Sequence, residues 1–313
     1  MSGPLGILGL VIFGVISTVG LLGNGFIIAV NGHNWLHSQK LIPCGLLLTC
    51  LSISRFLVQG LLLMNQCVYL ISPKTYEFSC AEQIMNMAWN YCNMASFSCD
   101  TTLHVFYCLK VTTFARPPFP WLKSRIDRLV PRLLTIPCVA FVVLSLPSYV
   151  DYVNGGKCGT LTGNLTEHRN LKTRETFSKF APVQFTLPTL CFIICLAASL
   201  LLFISLWRHT RNMRENGLDT KDLSTRAHLN VMKSLLGFLF FFVVYFVALV
   251  VTVSKDFRLG SLGHLTAIVL LSSYPSAHSI MIIVTNPKLK ETGVRFLNIG
   301  KRFPFSSSGT STE

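Results

Sequence analysis

Residues 7–30 read ILGLVIFGVISTVGLLGNGFIIAV, a stretch without Asp, Glu, Lys or Arg. Wound as an α-helix at about 1.5 Å per residue it extends about 36 Å, enough to cross about 30 Å of hydrocarbon. It is too long for the apolar region of a secretory signal and no basic residue precedes it, so it is expected to be retained as a span. It does not alternate apolar and polar residues, as a barrel strand of about 10 residues would. The pattern then repeats. Residues 41–73 hold only Arg55 and residues 83–109 only Asp100, while 133–150, 180–207, 234–254 and 259–287 hold no charged side chain. Asn86, Asn90 and Asn93 dilute the third run, and Pro137 and Pro147 interrupt the fourth. The expected fold is all-α, a seven-transmembrane helix bundle over residues 1–298. Its helices lie at about 7–30, 41–64, 81–110, 130–150, 180–207, 231–254 and 262–284. Residues 299–313 (KRFPFSSSGTSTE from 301) are expected to form a flexible cytoplasmic tail.

Composition agrees. Of 313 residues 51% are hydrophobic and 13% charged, with a mean hydropathy of +0.53. A soluble domain carries about 25% charged residues. The net charge of +14 would suit a nucleic-acid partner, but not beside so much apolar residue and so few charges. Disorder is excluded by the hydrophobicity and a collagen-like chain by the lack of a glycine period. The 11 Cys are scattered, mostly within apolar runs, with no Cys-x-x-Cys pair and no Cys/His set at zinc spacing. No metal or other cofactor is implied.

The loops set the orientation. With the N-terminus outside and the C-terminus cytoplasmic, inner segments hold 18 of the 27 basic residues and outer ones 8; Arg55 lies within a helix. The loop carrying Asn164-Leu165-Thr166, an N-glycosylation acceptor, then falls on the lumenal side where such sites are modified. Ser79-Cys80-Ala81-Glu82 reads as a capping box at the start of the third helix, which places Cys80 on the same side as Cys158. An oxidising lumen would permit a bridge between them, and free thiols are equally compatible.

Arg55 and Asp100 are the two charges a bilayer should reject. Each lies too deep for its side chain to reach water, and a charge facing lipid there costs at least about 3 kcal/mol. They are therefore expected to face the bundle and pair, near Asn24 of the first helix, either as a structural ion pair or as a latch between two packings. His278 belongs to the same intramembrane polar set. A hydrolase reading finds one membrane Asp and no metal-site partner for His104 or His278, so no enzyme is indicated.

Several strings in order narrow the class: GNGFIIAVN in the first helix, LSISRF in the second, and FYCLK then WLKSR after the third. SLWRHTRNM follows at the end of the fifth, AHLNVMK at the start of the sixth and PSAHSIMIIVTNPKLK in the seventh. This set resembles the bitter taste receptors, the type 2 taste receptor family of G-protein-coupled receptors. The resemblance implies a plasma-membrane, multi-pass receptor for small, largely apolar bitter compounds, acting through a gustducin-type heterotrimeric G protein. It implies ligand contacts at Trp89 and Asn93, one helical turn apart, and at Tyr245 of the sixth helix, with Gln66 at the rim. An indole face and an amide suit an amphipathic small molecule. It also implies a G-protein face near Tyr107, Lys110, His209, Arg211, His228 and Lys233, most of whose cations also meet anionic membrane lipid. Arg55 with Asn24 matches the family's inter-helix polar pair. Asp100 and Ser98 depart from it, the former replacing a small apolar residue and the latter a second Trp found in many members. A type 1 vomeronasal-like chemosensory receptor is the nearest alternative. A transporter or channel is disfavoured by unequal spans without inverted repeats or a ring of pore charges.

Overall fold

In a computed structural model the chain is described over residues 4–38, 43–71, 80–111, 119–155, 166–215, 236–250 and 262–302. Those residues form eight helices: α1 Pro4–Ser38, α2 Pro43–Ile71, α3 Cys80–Val111, α4 Phe119–Gly155, α5 Thr166–Glu215, α6 Leu236–Val250, α7 Leu262–Thr285 and α8 Pro287–Arg302. Among the described residues there is no strand. Five helices are long and apolar enough to cross a membrane: α1, α2, α4, α5 and α7. The asparagines of α3 lower its hydropathy, and only a short length of α6 is described.

The elements depart from expectation at their ends. α1 runs on to Ser38, α4 begins at Phe119 and α5 extends from Thr166 to Glu215, because polar residues continue a helix once its apolar stretch has nucleated it. Residues 299–302, expected as part of a flexible tail, instead close α8. Asn286 joins this helix to α7: its backbone amide donates to the Ile282 carbonyl at 2.9 Å, and its side-chain oxygen accepts from the Lys288 amide at 3.1 Å. That is how an N-cap acts ahead of a proline at the first helical position.

α3 is the hub, packing on α2, α4 and α5, while α1 closes the ring against α2 and α7. The usual soluble arrangement is reversed. Ile7, Val11 and Val15 of α1, Val143 of α4 and Ile193 of α5 point outward. Ser17, Asn24, Arg55, Gln59, Asp100, Ser272 and Ser279 are buried. Apolar surface on this scale requires an apolar solvent, so the chain is a helical membrane bundle.

Small residues let α1 approach. A Cβ at Gly20 would collide with the Gln59 amide and the Ser276 hydroxyl, and one at Gly23 would stand 2.6 Å from Ser279 Oγ. Gln59 Nε2 donates to Ser276 Oγ at 2.7 Å, and Ser276 Oγ lies 2.8 Å from the Ile16 carbonyl. These bonds tie α2 and α7 to α1. Interhelical hydrogen bonding with close backbone approach holds helices together where lipid offers no hydrophobic drive.

Candidate functional site

Two crevices meet at Asn93, which is buried on α3. The first lies beside Asn90, Met94, Phe141, Phe185, Pro188 and Leu249. The second descends past Ser96, Phe97, Tyr245 and Tyr274 to Arg55 and Asp100. Neither has free room for much more than one water molecule, so a larger guest requires the helices to part.

Asn93 Oδ1 accepts a hydrogen bond from the Tyr245 hydroxyl, joining α3 to α6. Trp89 stands one turn from Asn93 and packs on the aromatic cluster formed by Phe97, Phe238, Phe242, Tyr245 and Tyr274. Its indole Nε1 is buried without a hydrogen-bond partner among the described residues. Trp89 does not line either crevice. Gln66 on α2 is also buried, its Nε2 unpartnered among the described residues, and it too lies outside both linings.

The floor is ionic. Arg55 Nη2 lies 2.8 Å from both Asp100 carboxylate oxygens, and the two residues are 0% and 1% exposed. Tyr274 completes the arrangement: its hydroxyl accepts from Arg55 Nη2 at 2.8 Å and donates to Asp100 Oδ2 at 2.9 Å. The guanidinium carbon also stands 4.7 Å from the Tyr274 ring centre, within cation–π range. Arg55 Nη1 bonds His278 Nδ1. A guanidinium has donors only, so Nδ1 is the acceptor and the ring proton sits on Nε2. His278 Nδ1 is 3.7 Å from Asp100 Oδ1. His104 donates from Nδ1 to the Asp100 backbone carbonyl at 2.7 Å and stacks on Phe238. Arg55, Asp100 and His278 meet as the sequence led us to expect, drawn together from α2, α3 and α7.

Asn24 does not join the cluster. Its side-chain nitrogen donates to the Gly20 carbonyl at 2.8 Å, a bond within α1, so the expected contact with Arg55 is replaced by a local one. Tyr274 was not singled out in the sequence. Its one signal is a phenol placed just before Pro275 in a charge-free run. Ser98 has a use that sequence reading missed. Its hydroxyl lies 3.1 Å from the Leu133 carbonyl and 3.0 Å from that of Leu134. Pro137 has no N–H for the Leu133 carbonyl, and the serine of α3 supplies the missing donor across the interface.

At the Lys110 end, Tyr107 shares a hydrogen bond with Cys44 Sγ at 3.2 Å, and Lys110 Nζ meets Asp127 Oδ2 at 3.0 Å on the surface. Arg211 is exposed near the end of α5. The side chain of His209, and all of His228 and Lys233, lie outside the described residues, as do Asn164 and Cys158. Cys80 opens α3 without a described side chain. Among the described residues no group of His, Cys, Asp or Glu is arranged to hold a metal ion.

The described helices form a membrane bundle with an aromatic and amide crevice above a paired ionic floor. The comparisons with known proteins agree. A family model described as Taste receptor protein (TAS2R) matches residues 1–301. Taste receptor type 2 member 7 of Rattus norvegicus is 34% identical over 300 residues, covering 89% of this chain and 90% of the relative. Taste receptor type 2 member 3 of Homo sapiens is 32% identical over 296 residues, covering 92% of each. The chain belongs to the type 2, or bitter, taste receptor family, a class of receptors and not of enzymes.

Proposed function

We propose that this protein is a seven-spanning G-protein-coupled receptor of the plasma membrane, with its N-terminus outside and its C-terminus in the cytoplasm. It binds small, largely apolar bitter compounds between α3 and α6 and activates a gustducin-type heterotrimeric G protein. What carries the reading is family membership along residues 1–301 combined with the Asn93–Tyr245 junction between two crevices. Trp89 and Asn93 supply an indole face and an amide on one side of α3, and Tyr245 places a phenol opposite. Gln66, buried on α2 outside both crevices, would meet a ligand at the rim only once the helices part. In this orientation Tyr107, Lys110, His209, Arg211, His228 and Lys233 face the G protein, Asn164 is glycosylated, and the basic residues of α8 meet anionic lipid.

Chemistry at the crevice supports a switch. The Tyr245 hydroxyl holds α6 against α3 only while Asn93 Oδ1 is available to it. A guest that parts these side chains favours packings in which α6 is displaced, and ligand shifts the population by its differential affinity for them. The deciding assay is calcium flux from cells carrying the chain with a gustducin-like chimera, screened against a broad bitter panel. Agonists should appear, and Trp89→Ala should abolish most responses at equal surface expression. Silence across the panel from receptor confirmed at the surface would overturn the proposal.

A further inference from the structure

We infer that His33 and His37, near the end of α1, form a two-imidazole chelate for a divalent transition-metal ion, Zn²⁺ or Cu²⁺. The pair lies outside both crevices, and the site stands whether or not the chain is a receptor. The two histidines are four residues apart, so they share one face of the helix, one turn above the other. Both are exposed, and their ring centres lie 4.4 Å apart with the planes inclined by 50°. Asn34, Trp35 and Leu36 between them carry no charge. His33 follows Phe26 by two turns, and Phe26 meets Phe296 of α8, so the pair stands at the α8 end of the bundle. In the orientation proposed above that end faces the cytoplasm.

A neutral imidazole takes Zn²⁺ through a ring nitrogen at about 2.0–2.1 Å. Two such nitrogens on one ion hold their ring centres about 5 Å apart. The observed separation is within a small side-chain rotation of that value, so an ion can be seated without moving the backbone. The helix holds the two rings together in advance, which lowers the ordering a chelate otherwise costs. His37 lies in the last turn of α1, where the negative end of the helix dipole favours a cation. Imidazole nitrogen selects Zn²⁺ and Cu²⁺ over Ca²⁺ and Mg²⁺, which take oxygen ligands. Groups of three or more metal-ligating side chains are absent among the described residues. Two imidazoles therefore hold the ion with water in its other positions, as an exchangeable guest.

The test uses the purified full-length chain in detergent, without an oligohistidine tag, titrated with Cu²⁺ or Zn²⁺. The tightest-bound Cu²⁺ should show electron paramagnetic resonance coupling to two nitrogens, and excess Zn²⁺ should displace it. His33→Gln and His37→Gln should each weaken binding about tenfold, with either substitution losing most of what the double substitution loses, because one imidazole cannot chelate. Zn²⁺ should raise the melting midpoint of the wild type and leave that of both variants unchanged, while Ca²⁺ and Mg²⁺ shift none of them. Melting without metal checks that the variants fold, as exposed positions allow. Coupling to a single nitrogen in the wild type would overturn the site, and that reading needs no variant. Undiminished affinity in His37→Gln, or an equal Zn²⁺ shift in wild type and variants, would overturn it as well. None of these outcomes bears on the receptor reading, which the calcium assay decides separately.

Discussion

Asp100 illustrates how a single buried charge is tolerated. Its carboxylate gathers three hydrogen-bond contacts from Arg55 and Tyr274, so the negative charge is both paired and saturated. Breaking a buried pair costs more than its net worth, because the survivor remains charged and desolvated. Asp100→Asn is therefore expected to destabilise the receptor by about 3–5 kcal/mol, read as lower surface expression and a lower melting midpoint in detergent. Replacing both partners, as in Arg55→Met with Asp100→Leu, should recover most of that loss. A latch role predicts in addition that signalling changes at equal surface expression; an Asp100→Asn receptor signalling like the wild type would leave the pair purely structural. Ser98 is a smaller case of the same accounting. Ser98→Ala leaves the Leu133 carbonyl without a donor and should cost about 1 kcal/mol. If Pro137→Ala restores the backbone N–H, the serine substitution on that background should cost much less, a coupling measurable by a double-mutant cycle.

Among the elements, α1 is fixed by close approach rather than by large side chains. Gly20 and Gly23 face Gln59, Ser276 and Ser279, so Gly20→Ala drives a methyl group into the seam that joins α1 to α2 and α7. Overpacking of this kind costs about 1–3 kcal/mol, and thermal unfolding of the purified receptor should show it; Gly14→Ala, which has open space around the added carbon, is the control. α8 is the element that was not legible beforehand. Its apolar residues are sparse and interleaved with Lys288, Lys290 and Arg295, so a search for charge-free runs passes over it. The sequence does carry its start signal in Asn286-Pro287, and its anchors are tertiary: Leu289 is buried, and Phe296 meets Phe26 of α1 edge-on at 6.2 Å.

For the whole molecule, the aromatic cluster between α3, α6 and α7 connects the crevice to the ionic floor. Tyr245 and Tyr274 stand with ring centres 5.1 Å apart, the one bonded to Asn93 and the other to Asp100. If the Tyr245 hydroxyl holds α6 in the resting packing, Tyr245→Phe should raise basal signalling several-fold, since one hydrogen bond contributes about 1 kcal/mol to the balance. Basal calcium or G-protein turnover at matched surface expression reads this directly, and an unchanged basal level would assign the hydroxyl to packing alone. The helical membrane character was legible because lipid imposes it on composition. Every span must be a run of apolar residues with its backbone bonds satisfied internally, and that constraint is written locally along the chain. Arg55 and Asp100 were legible as partners for the same reason: two opposite charges in one bilayer have few other ways to be satisfied.

The sequence by itself determined the solvent of this protein, the all-helical class, and the family to which its ordered strings belong. Only the tertiary structure decided which polar groups meet. Asn24 turns to its own helix, Tyr274 and His278 enter from α7, Ser98 answers a proline on α4, and Asn93 shares its oxygen with Tyr245. The physical reason is range. Apolar runs act through each residue's own contact with lipid, whereas a buried hydrogen bond depends on two side chains brought within about 3 Å by the packing of separate helices.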